Sequence, residues 1–266
     1  MPNKGLTLSR LVAVSIMSEA IGITSERPSN FATTLIDLMD RVEYRWVSSD
    51  QMDPVYRLRY DAYRREEFVP VNARQVVRDE FDELPNSYCY GVYIDDQLVS
   101  SVRFHYLTPE FRDSPSHSVF TDVLDPLLDQ GMTILDPGRF TADYEASLAF
   151  PALPFLTLRI ATMAVWHFSV KYCLNAVRPE HAAFYRRVFR STQFSEARYY
   201  HGLSFPMVLY ACDIPVIYGD LLRRYPFFRS TSEERKMMFE RNESVKVVRP
   251  SVRLAQRLVD LEAEFA

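Results

Sequence analysis

Residues Ile134 to Asp143 read as a β-strand except at one point, where Pro137 and Gly138 stand side by side in the middle of the run. Proline cannot donate to a ladder and glycine has no side chain to pack, so a central strand holding this pair must bulge or kink. In a regular strand Asp136 and Arg139 point to opposite faces. A bulge between them brings both charges to one side. Three charged stations lie upstream: Arg57, the Asp79/Asp82 pair and Arg103. Two acids, two arginines and an exposed backbone kink suit an amino-acid zwitterion.

The flanking sequence predicts a sheet around this element. Val42 to Val47 reads as a strand. Asp53-Pro54 offers an N-cap with proline at the first helical position, opening a helix to about Glu67. Val55, Leu58 and Ala62 with Tyr56, Tyr60 and Tyr63 form its buried stripe. Phe68 to Pro85 has no clear period and is rich in charge, which predicts a loop or short helices over the site. Tyr88 to Ile94 and Gln97 to Tyr106 read as a hairpin turning at Asp95-Asp96. Val119 to Gln130 reads as a short helix, and Pro154 opens a long one to about Tyr172. Strand Leu174 to Arg178, helix Glu180 to Phe189 and strands Phe194 to His201 and Phe205 to Cys212 follow. The expected domain spans residues 41–214, between an N-terminal extension, 1–40, and a C-terminal helical one, 215–266. Helices are expected there over Arg235 to Arg241 and Ser251 to Phe265.

The order and spacing of the charged stations resemble the acyl-homoserine lactone synthases, and still more the long-chain N-acyl amino acid synthases of the FeeM type. Both are acyltransferases of the GNAT fold. The resemblance implies a mixed α/β sheet of about seven strands with flanking helices and a kinked fourth strand. Arg57 matches an arginine of the first helix, Asp79 and Asp82 the family's acidic pair, Arg103 the third-strand arginine, and Asp136 with Arg139 an E-x-x-R pattern. Asp136 replaces the usual glutamate. The tryptophan common after the first helix is absent, Phe68 being the nearest aromatic. Both departures favour an amino acid over S-adenosylmethionine as acceptor. By the same resemblance Asp136 to Phe140, with Gly138 inside, would present backbone N–H groups to a thioester carbonyl. Arg103 or Arg139 would pair with the acceptor carboxylate, Asp79 or Asp82 would take the amine's proton, and Tyr185 would protonate the leaving thiolate.

Enzymes of this fold that use CoA carry a glycine-rich loop whose amides hold the pyrophosphate at a helix N-terminus. Thr141 to Leu158 contains no glycine. An acyl carrier protein needs no such cradle, so the expected donor is a phosphopantetheine-linked acyl thioester on that carrier, with no bound cofactor. Arg186, Arg187 and Arg190 offer a basic face to an acidic carrier. The expected reaction moves a long fatty acyl chain to the α-amine of an amino acid. The rivals are acyl-homoserine lactone synthesis from S-adenosylmethionine and an inactive acyl-chain or carrier-binding protein.

Bulk properties exclude other classes. A net charge of −4 gives no reason to expect nucleic acid as a partner. Three scattered cysteines without a C-x-x-C pair argue against a disulfide scaffold or a zinc site and predict a reducing cytoplasm. Leu6 to Ile23 is interrupted by Arg10 and Glu19, so it predicts an amphipathic helix rather than a bilayer span. Membrane association is expected only peripherally, through a lipid product. There is no P-loop, dinucleotide fingerprint or G-x-S-x-G.

Overall fold

A computed structural model describes residues 35–36, 38–200, 205–241, 247–253 and 260. The expected helices at Leu6 to Ile23 and beyond Arg253 lie essentially outside the described residues. Seven strands form one sheet in the order β1-β2-β3-β4-β5-β7-β6. They are β1 Val42–Trp46, β2 Ser87–Ile94, β3 Gln97–Leu107, β4 Ile134–Ala142, β5 Tyr172–Val177, β6 Thr192–Tyr199 and β7 Pro206–Asp213. All neighbours pair antiparallel except β4 and β5, which are parallel.

Local chemistry accounts for most boundaries. Asp95 and Asp96 both take positive φ, 50° and 66°. That is the turn a two-residue hairpin requires. Helix α1 runs Asp53–Arg65 with Pro54 in its first turn, but Met52 occupies the cap position and no side chain caps it. Helix α2, Pro115–Leu128, starts earlier than hydrophobic periodicity suggests, because Ser114 accepts from the His117 N–H at 3.1 Å. Asp143 caps a short helix absent from the sequence reading, α3 Tyr144–Ala149. Helix α4, Leu153–His167, stops five residues short of the expected Tyr172, where the chain turns through Ser169 at φ 51° into β5.

Helices α5 Ala182–Phe189, α6 Ile214–Arg224 and α7 Ser232–Phe239 complete the described set. The last two belong to the stretch expected as an extension, yet they pack into the main core. Phe239 of α7 sits in an aromatic cluster with Tyr90, Phe104 and Phe168. Arg159 of α4, fully buried, pairs with Glu234 of α7 at 2.5 and 2.9 Å, and Ser251 N–H donates to the same carboxylate at 3.0 Å. Val248 bridges to Tyr44 of β1. The three cysteines are buried and unpaired. No described helix is long and apolar enough to cross a membrane.

A buried ion pair that loses one member leaves the other charge without compensation, at a cost of about 3–5 kcal/mol. Glu234→Ala should therefore lower the unfolding free energy by about that amount in a urea titration. A loss below about 1 kcal/mol would show that the C-terminal helices are not coupled to the core through this pair.

Candidate active site

The site begins where β4 breaks. The β3–β4 ladder passes from Arg103↔Gly138 to Ser101↔Thr141, skipping one residue of β3 and two of β4. The extra residue is accommodated at Arg139, which takes φ 51°. Pro137 itself stays in register opposite Phe104, so the irregularity falls just after the Pro-Gly pair rather than on it. A left-handed non-glycine residue at a bulge is strained, and such strain collects at functional sites. Beyond the first two residues, Ile134↔Tyr172 and Leu135↔Cys173, β4 and β5 make no further pairs. The sheet opens there.

Arg139 is turned by the bulge onto the face where Arg103 lies. Both reach Asp79: Arg103 Nη1 donates to Oδ1 at 2.5 Å, and Arg139 Nε donates to Oδ2 at 3.0 Å. Arg103 also donates to Asp82 at 2.7 Å. Asp82 accepts two further bonds from Arg59 Nη1, at 2.8 and 2.9 Å. The acids hold each other through a capping box, with the Asp79 side chain on the Phe81 N–H and the Asp82 side chain on the Asp79 N–H, both at 3.1 Å. Their three-residue spacing thus has a local structural cause. Burial pushes the Asp79 carboxyl up, but the bonds and charge of Arg103, and then of Arg139, outweigh it and hold it far below the usual carboxylate range. Asp79 is a permanent anion.

Four expected residues, Asp79, Asp82, Arg103 and Arg139, meet in this network. Arg57 does not: it is exposed, and Arg59 two residues on is fully buried in its place. The signal was in the helical phase, since Arg59 lies at i+4 from Val55 and i+3 from Tyr56, on the buried stripe. Asp136 is also separate from Arg139. Its carboxylate accepts from Ser116 Oγ at 2.6 Å and from the Ser116 N–H at 3.1 Å. Asp82 is buried behind the arginines and does not line the cavity that joins the other groups.

A cavity of 430 Å³ joins these groups. That is within the range of about 300–1,000 Å³ usual for small-molecule sites. Asp79, Arg103, His105, Asp136 and Arg139 line its polar part; Gly138, where a Cβ would meet open space, and Phe140 border it. Its apolar part is built by α4 (Leu158, Val165), α5 (Tyr185, Phe189) and α6 (Ile217, Leu221). The polar groups belong to the α1 side of the sheet and the apolar helices to the other. The gap between β4 and β5 is what lets one cavity reach both. Burial pushes the Tyr185 phenol up to about 12, so it is a protonated donor at neutral pH. His105 is another group the sequence reading passed over. Burial, and then the charge of Arg103, push it down to about 4, and its neutral ring donates to the Phe81 carbonyl at 2.9 Å.

The amides at the start of α4 are engaged within the chain. Leu153 N–H donates to Phe150 O at 2.9 Å, Phe155 and Leu156 N–H donate to Ala152 O at 3.0 and 3.3 Å, and Pro154 has no N–H. The Asp143 carboxylate occupies the start of α3 at 2.8 Å from the Ala146 N. Among the described residues no cluster could hold a metal ion.

This broken, splayed sheet with a cavity through its opening is that of a GNAT-like N-acyltransferase. Residues 54–213, more than half of the chain, match the family described as N-acyl amino acid synthase FeeM, and the chain belongs to that family. Among solved structures it is similar to FeeM, an N-acyl amino acid synthase from uncultured soil microbes, at 19% identity and TM-score 0.54, covering 66% of this chain and 92% of that one. It is also similar to BjaI, a CoA-dependent acyl-homoserine lactone synthase, at 12% identity and TM-score 0.51, covering 69% and 89%. No match was found among curated proteins.

The charge network sets a pH dependence. Asp79 has a depressed folded pKa, so its contribution to stability is complete above its unfolded pKa of about 4 and is lost as pH falls below it. Stability by urea unfolding should fall from about pH 5 downward in the wild type and fall less steeply in Asp79→Asn. Equal slopes would mean that Asp79 is not held as an anion.

Proposed function

We propose that this acyltransferase moves a long fatty acyl chain from an acyl carrier protein to the α-amine of an amino acid. The observation that carries this reading is the charge balance of the ion-pair network that reaches the cavity through Asp79, Arg103 and Arg139. Three guanidinium groups, Arg59, Arg103 and Arg139, face two carboxylates, Asp79 and Asp82. One positive charge is left over. Arg139, with 23% of its side chain exposed against 1% for Arg103, is the member able to receive an acceptor carboxylate. Asp79 aims its fork, and Tyr63 packs against it 5.6 Å from the ring centroid.

The acyl chain lies in the apolar part, where each buried methylene contributes about 0.8 kcal/mol. The thioester carbonyl faces the backbone of Arg139 and Phe140, which have no register partner on β3, and their N–H groups are the donors for the oxyanion. Tyr185 gives its proton to the departing thiolate. Two features favour a carrier protein over free CoA. The first is the spent amides at the start of α4. The second is a basic edge on the outer side of α5 and α6, where Arg190, Arg223 and Arg224 all reach Asp220, beside exposed Arg186 and Arg187.

The test is kcat/KM for one acyl chain on both carriers, with free amino acids as acceptors. The carrier-protein thioester should be the better donor, and Arg139→Gln should raise the acceptor KM at least about tenfold, the worth of a charge-assisted pair. Equal use of acyl-CoA would refute the donor assignment. Consumption of S-adenosylmethionine with lactone release would move the chain to the lactone synthases, and acyl binding without turnover would leave a binding protein.

A further inference from the structure

The acids first expected to take the amine's proton are badly placed to do so. Asp79 accepts from two arginines and Asp82 is sealed behind them. A different chain of groups lines the same cavity. Ser116 Oγ–H donates to Asp136 Oδ1 at 2.6 Å, while the Ser116 N–H donates to Oδ2 at 3.1 Å. The Tyr200 hydroxyl lies 2.9 Å from Ser116 Oγ. A serine has one hydroxyl proton, and here the carboxylate takes it. Ser116 Oγ is therefore the acceptor of the Tyr200 O–H, and the bonds run in one direction, Tyr200 to Ser116 to Asp136. Burial, and then the Asp136 charge, hold the Tyr200 phenol well above its ordinary value, which keeps it protonated. Its ring packs edge-on against Phe120 of α2 at 5.9 Å. Asp136 sits two positions from Gly138, the residue opposite Arg103, about 7 Å along β4 on the same face. A zwitterion held by its carboxylate at Arg139 presents its amine toward this chain.

We propose that Tyr200, Ser116 and Asp136 form the proton relay that deprotonates the acceptor amine, Tyr200 being the catalytic residue that touches it and Ser116 the positioning residue. The inference rests on the amino-acid acceptor argued above. The ammonium gives a proton to the Tyr200 oxygen as Tyr200 gives its own to Ser116 and Ser116 gives its own to Asp136. The neutral amine then attacks the thioester carbonyl, the C–N bond forms and the C–S bond breaks. Tyr185 gives its proton to the departing sulfur and takes the second nitrogen proton in its place, leaving an amide, a thiol and a neutral phenol, and the proton on Asp136 returns to solvent. Three other titratable groups lie near Asp136. His105 of β3 stands directly opposite in a neutral state, Arg103 is two positions along β3, and Cys173 of β5 is a buried thiol. On α2, His117 is turned to Asp125 at 2.9 Å.

The test measures acyl transfer to a free amino acid as a function of pH for the full chain and for Tyr200→Phe, Ser116→Ala and Asp136→Asn. Near neutral pH each variant should lose about 100-fold in kcat/KM, as expected for removing a general base. The acceptor KM should stay nearly constant, and the deficit should shrink as pH approaches the ammonium's own pKa. Tyr199→Phe, at an exposed neighbouring position, is the control and should match the wild type. Thermal unfolding confirms that each variant folds; if Ser116→Ala does not, Tyr200→Phe alone decides. A Tyr200→Phe rate within twofold of wild type, or a deficit constant at every pH, overturns the relay. If the wild type itself leaves every amino acid unacylated, the acceptor assignment fails and the relay falls with it.

Discussion

The bulge at Arg139 is the constraint on which the rest of the site depends. One extra residue in β4 does three things at once. It turns a strand residue that would face the α4 side onto the face of Arg103, so that both arginines reach Asp79. It leaves Arg139 and Phe140 without register partners on β3. It also bends β4 away from β5 after two paired residues, opening the sheet to a cavity. A regular strand at this place would close the sheet and split the site into two unconnected halves.

Around that opening the electrostatics divide the acids by task. Asp79 and Asp82 are committed to arginines, and what their network offers a ligand is positive charge in a shape the carboxylates have set. Asp136 takes the hydroxyl and N–H of Ser116, and the Tyr200 hydroxyl stands behind that serine. Two acidic environments beside one cavity allow an anion to be held and a proton to be moved without one function cancelling the other. A single shared acid could not do both, because pairing with guanidinium is what makes Asp79 a weak base.

One wall of the cavity comes from beyond the family-matched region. Residues of α6 close its apolar part, and α7 is tied to α4 through Arg159 and Glu234. The match to FeeM ends at residue 213, one position before α6 begins, so this wall is formed by sequence outside the matched region.

What the sequence by itself determined was local. The Asp95-Asp96 hairpin, the capping-box spacing of Asp79 and Asp82, the glycine-free stretch after β4 and the need for a break near Pro137-Gly138 all follow from interactions spanning a few residues. Helical phase placed Arg59 inward and Arg57 outward, and that too was legible once the stripe was followed through position 59. Only the tertiary structure decided which charges meet. Arg139 reaches Asp79 across 60 residues and Ser116 reaches Tyr200 across 84. Those pairings depend on strand register and on the one-residue offset at the bulge. A shift of a single residue there reverses which face a side chain occupies, and no short-range signal records it.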